Sequence, residues 1–85
     1  MHRKKLLKRL IAGKLGNVAF TDMQNLAIGF GFQEARKSGS YHIYIHHDIP
    51  ELLNLQEVKG EAKPYQIRQF LRLIERYNLK LENEI

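Results

Sequence analysis

The chain predicts an α+β two-layer domain: two N-terminal helices, a three-stranded antiparallel meander sheet and a C-terminal helix, with the helices on one face of the sheet. Two observations carry that expectation. Apolar residues recur at helical spacing near both ends of the 85-residue chain. Between them lie short strand-like segments separated by Gly, Ser and Pro turn signals. The length allows one domain, read as basic N-terminal helices over 1–29, a hairpin, third strand and closing helix over 30–78, and a fraying tail over 79–85.

Each element has its own signal. Leu6, Leu7, Leu10 and Ile11 form an apolar stripe from Arg3 to Ala12, ended by Gly13 or Gly16, while Arg3, Lys4, Lys5, Lys8 and Arg9 cover the other face. Cations in the first turns oppose the helix dipole, so helix stability is a poor reason for them and a ligand or partner is a better one. Thr21-Asp22 offers an N-cap ahead of Met23, Leu26 and Ala27, and Gly29-Phe30-Gly31 stops that second helix. Phe32 to Lys37 and Tyr41 to His47 read as hairpin arms around Ser38-Gly39-Ser40. Asp48-Ile49-Pro50 breaks the second arm, and Glu51 to Val58 alternates as a third strand. Residues 59–63 form a loop, and Pro64 suits the first turn of a helix striped by Ile67, Phe70, Leu71 and Ile74 and flanked by Arg68, Arg72 and Arg76.

Composition narrows the function classes. With 44% hydrophobic and 27% charged residues the chain is an ordinary globular domain, and the absence of cysteine excludes disulfides and thiolate metal sites and fits a cytoplasmic location. The apolar runs are short and interrupted, so neither a signal peptide nor a membrane span is expected. The net charge of +5 is uneven: residues 1–37 carry eight Lys/Arg against two acids, and residues 38–85 carry six against seven. A basic half suggests a phosphate backbone or an acidic protein as partner, although a solvated basic face also keeps a protein in solution.

Chemistry concentrates in Ser38 to His47, which holds three of the four histidines. Strand alternation places Tyr41, Ile43, Ile45 and His47 on one face and His42, Tyr44 and His46 on the other. The isoleucines mark the helix-covered face, so His42, Tyr44 and His46 are expected on the open face, where they could stack on a base or contact a phosphate. Tyr41 is expected at the edge of the covered face. The expected core is Leu6, Leu10, Phe32, Ile43, Ile45, Leu53, Leu55, Ile67, Phe70, Leu71 and Ile74. His42 and His46 lie about 13 to 14 Å apart by strand rise and cannot share one ion, so no metal and no cofactor is expected.

Gly31-Phe32 entering the first strand, Ser38-Gly39-Ser40-Tyr41-His42-Ile43-Tyr44 at the hairpin, and Val58-Lys59-Gly60-Glu61-Ala62-Lys63-Pro64-Tyr65-Gln66-Ile67-Arg68-Gln69-Phe70-Leu71 running into the last helix resemble the HicA-type toxins. These are small mRNA interferases with a double-stranded-RNA-binding-domain-like fold, and the likeness runs from Phe30 to Leu81. The resemblance implies a metal-independent endoribonuclease acting on mRNA, a HicB-like antitoxin partner, and a key histidine directly after the Gly-Ser pair. Here Tyr41 occupies that position, followed by His42. A phenol with a pKa near 10 is a poor base at neutral pH, so the resemblance implies an attenuated or inactive nuclease. If the chain cleaves, proton transfer falls to His42, with Lys37, Ser38, Gly39 and Ser40 near the phosphate. Lys59, Lys63 and Arg68, with Lys4, Lys5, Lys8 and Arg9 on the first helix, would supply the electrostatic track. The alternative is a non-catalytic RNA-binding module.

Overall fold

Local rules account for where each helix ends. The computed structural model describes residues 2–82 and contains α1 (Arg3–Ile11), α2 (Phe20–Gly29) and α3 (Pro64–Arg76). All three close with the same pair of hydrogen bonds, a left-handed residue folding back onto the last turn. Gly13, Gly31 and Asn78 take that position, at φ 91°, 96° and 52°. Lys14 N–H then reaches Arg9 O, Phe32 N–H reaches Ala27 O, and Leu79 N–H reaches Ile74 O.

The start of α2 differs from the sequence expectation. Its N-cap is Ala19, with Thr21 and Asp22 inside the first turn. No side chain caps it. Instead the neighbouring sheet satisfies the backbone: Phe20 N–H donates to Gly60 O, Ala62 N–H donates to Val18 O, and Ala19 bridges to Glu61.

The strands are β1 (Gln33–Ser38), β2 (Tyr41–Ile45), β3 (Leu53–Val58) and β4 (Glu61–Ala62), antiparallel in the order β1-β2-β3-β4. The meander continues one strand further than expected, because Lys59-Gly60 is a two-residue turn inside the segment read as a loop. At the first hairpin Ser38 pairs with Tyr41 across Gly39-Ser40, with Gly39 at φ 60° in the first loop position. That is the II′ arrangement, whose twist matches the strands it joins. β1 and β2 shift register between Glu34 and Arg36, leaving Ala35 as a bulge.

The core contains Leu6, Leu10, Phe32, Leu53, Leu55, Ile67 and Phe70 as expected, together with Met23, Leu26 and Tyr44. Leu71 and Ile74 pack against it half-buried. Phe70 sits at its centre, edge-on to Phe30 with ring centroids 5.5 Å apart and tilted against Phe32 at 6.0 Å. The tail does not simply fray, since Leu79 and Leu81 pack on the core and Glu82 N–H donates to Gly29 O at 2.7 Å. Residues 83–85 of the expected tail lie outside the described residues.

The expected assignment of the sheet faces is reversed. Ile45 is 41% exposed and Ile43 half-buried, whereas His42, Tyr44 and His46 are 6%, 1% and 3% exposed. The alternation itself is correct, because His42 pairs with Leu55 and Tyr44 with Leu53, the two apolar residues of β3 that face the helices.

Candidate nucleic-acid interface

Three side chains of β2 and its end meet the helices, and each finds polar partners that make burial affordable. Tyr44 accepts a hydrogen bond from Gln24 Nε2 of α2 at 2.9 Å, and burial pushes its phenol pKa up. His46 Nε2 lies 2.9 Å from Phe30 O, and Asp48 N–H donates to His46 Nδ1 at 3.1 Å. Both ring nitrogens are thereby used, so His46 braces the α2–β1 connection. The ligand atoms of His46, His47 and Asp48 lie within 4.8 Å of one another, yet a cation there would have to displace one of these bonds.

His42 is placed by a device hidden from the sequence. The Ala35 bulge changes the parity of β1, so Glu34 and Lys37, three residues apart, both turn to the helix side. Glu34 Oε1 then lies 2.7 Å from His42 Nδ1. This hydrogen bond is the main reason the Glu34 carboxyl titrates below its ordinary range, with the Tyr44 hydroxyl and the charge of Lys37 adding to it. The imidazole ring packs on Phe20, centroids 4.6 Å apart, and its Nε2 is enclosed with no hydrogen-bond partner among the described residues. A carboxylate-oriented imidazole has the internal arrangement of a general base, but this one is sealed beneath α2.

Tyr41, expected at the edge of the covered face, instead stands on the uncovered one, 41% exposed at the hairpin end of the sheet. Ser38 and Gln56 are its cross-strand neighbours. The turn is tied to β3 by Glu57 N–H donating to Ser40 O at 2.9 Å. Antiparallel pairing brings the Lys59-Gly60 turn to this same end. Ser38, Gly39, Ser40, Tyr41 and Lys59 therefore gather at one end of the sheet, with Lys37 beside them on the opposite face.

The remaining cations divide by role. Lys63 is the N-cap residue of α3, and Arg68 is exposed on that helix. Lys4, Lys5 and Lys8 are exposed along α1. Arg9 is committed elsewhere: its guanidinium donates to Gly16 O and, at 3.5 Å, to Asn17 O, anchoring the α1–α2 loop. Arg76 donates to Glu51 Oε2 at 2.9 Å. Sequence reasoning missed Glu34 and Phe20 as the surroundings of His42 and Gln24 as the partner of Tyr44; only the bulge and the helix packing bring them there.

Among the described residues no helix is long and apolar enough to cross a membrane. No family model, curated protein or solved structure matches this chain.

Proposed function

We propose that the chain is an attenuated HicA-type mRNA interferase toxin with a double-stranded-RNA-binding-domain-like fold, acting in the cytoplasm with a HicB-like antitoxin as protein partner. The observation that carries this reading is the exposure of Tyr41 directly after Gly39-Ser40, at the position where the family resemblance requires a histidine, while the neighbouring His42 is enclosed. In metal-independent RNA cleavage a base takes the proton of a ribose 2′-hydroxyl. That oxygen attacks the adjacent phosphorus, and the 5′-oxygen leaves with a proton, giving a cyclic phosphate and a free 5′-hydroxyl. An imidazole at position 41 would be open to RNA and suited to either proton transfer; the phenol, with a pKa near 10, is a poor base near neutral pH, so removal of the 2′-hydroxyl proton is slowed. Binding does not depend on that base, and Lys59 and the α1 lysines are positioned to neutralise phosphates.

The deciding experiment compares the parent with Tyr41→His in an RNA cleavage assay containing a chelator. Because the site is exposed, the substitution should leave the fold intact and raise cleavage about 10²-fold or more. A folded Tyr41→His protein that binds RNA without cleaving it would remove the nuclease reading and leave the non-catalytic RNA-binding module. A second reading rests on the unpartnered His42 Nε2: if His42 is the working base, Phe20→Ala, which uncovers it, should raise cleavage in the parent and Tyr41→His should not.

A further inference from the structure

The uncovered face of the sheet has a composition that burial and solubility do not account for. Its rows, read across β1, β2 and β3, are Ser38-Tyr41-Gln56 and Arg36-Ile43-Asn54, followed by Gln33 beside Ile45. The carboxylates of these strands are elsewhere: Glu34 is turned to the helix side by the bulge, and Glu57, partner of the buried Ala62, follows the alternation to that side as well. Over β1, β2 and β3 the face therefore presents an exposed phenol, aliphatic side chains, carboxamides, a hydroxyl and a guanidinium without a carboxylate, and negative charge enters it only at the β4 edge, where Glu61 pairs with Val58. Asn54 adds a further sign, since its Oδ1 is enclosed and accepts no hydrogen bond from the described residues. Such an acceptor costs free energy unless a donor reaches it. Turning the carboxamide outward toward a ligand would sacrifice no protein bond at that oxygen.

We infer that this face is a binding platform for single-stranded RNA, with one unstacked base lying on Tyr41 and Ile43, its edge read by Gln56 and Asn54, and a phosphate held by Arg36. The inference rests on the RNA reading above and specifies which form of RNA and which surface. Single-stranded bases offer π-faces that stack on aromatic rings and edges that hydrogen-bond to amides, whereas a duplex hides both. The lack of carboxylates over β1 to β3, where the base and phosphate would lie, fits an anionic ligand, with Glu61 standing off at the β4 edge. Tyr41 thereby becomes a stacking residue at the place where the family resemblance sets a catalytic histidine.

The test uses the full chain with an oligoribonucleotide carrying 2-aminopurine, measured by fluorescence quenching as a single strand and as a duplex of the same sequence. The single strand should bind at least tenfold more tightly and lose fluorescence on binding. Tyr41→Ala should weaken it about tenfold and abolish quenching. Arg36→Ala should weaken it and lower the slope of affinity against salt by about one. Equal affinity for the duplex, or parental binding by both variants, would overturn the platform while leaving RNA binding in place, carried by the α1 lysines. If the parent binds neither form at low salt, the RNA reading itself falls and the platform with it. A self-associated parent that Tyr41→Ala renders monomeric would assign the face to a second copy of the chain instead.

Discussion

Along β2 and its end, the two faces of the central sheet invert the usual distribution of side chains. The covered face receives two histidines and a tyrosine, while the uncovered face carries Ile43 and Ile45. On the covered side each polar ring brings at least one partner: Gln24 for Tyr44, Glu34 for His42, Phe30 O and Asp48 N–H for His46. A buried polar group that keeps its hydrogen bond costs little, and its ring still excludes water over a large area. On the open side isoleucine satisfies strand geometry without needing a cover. Hydrophobicity alone is thus a poor guide to which face is inside when the rings are well partnered.

The largest expected contrast between the faces is in stability. Tyr44→Ala should cost about 3 to 5 kcal/mol, the range for emptying a buried aromatic site. Ile45→Ala should cost within about 0.5 kcal/mol, as at other exposed positions. Tyr44→Phe sharpens the point: it keeps the ring but strands the Gln24 carboxamide, at about 1 kcal/mol. Denaturant unfolding of the three variants measures this, and equal losses at Tyr44 and Ile45 would show that the faces are not distinguished as described.

The His46 brace gives the next largest effect. A Cβ at Gly31 would sit 2.7 Å from His46 Nε2, on a residue already at φ 96°. Gly31→Ala must both strain the backbone and push the ring off Phe30 O, so a loss of about 1 to 3 kcal/mol is expected. A Gly31→Ala protein as stable as the parent would mean that His46 does not brace this joint.

The smallest effect is a pH dependence. Hydrogen bonding to His42 holds Glu34 below the ordinary carboxylate range, so the unfolded chain takes up its proton more readily than the folded one. The ionised carboxyl therefore contributes stability above the ordinary carboxylate pKa, and that contribution is lost as the pH falls through this range to the lower folded value. Glu51, held down first by the Tyr77 hydroxyl and then by Arg76, acts in the same direction. Glu34→Gln should flatten the loss of stability as the pH falls through and below the ordinary carboxylate range without abolishing it, because Glu51 remains. An acid limb identical to the parent's would indicate that the Glu34–His42 contact does not persist in solution.

The sequence by itself determined the elements and their order. Helix ends at Gly13 and Gly31, the hairpin at Gly39-Ser40 and the start of α3 at Pro64 are set by backbone preferences that act over a few residues. Parity along β2 belongs with them, since an unbulged pleat has a fixed period that sets His42 opposite in face to Tyr41. Which of those two sides is inside was decided only by tertiary structure. α2 brings Phe20 and Gln24 over β2, and a one-residue bulge in β1 turns Glu34 toward His42. The sheet edge at 60–62, capping α2 in place of a side chain, is likewise a contact between residues some forty positions apart. Burial of a polar ring depends on partners from other elements, and no local pattern in β2 encodes whether they will arrive.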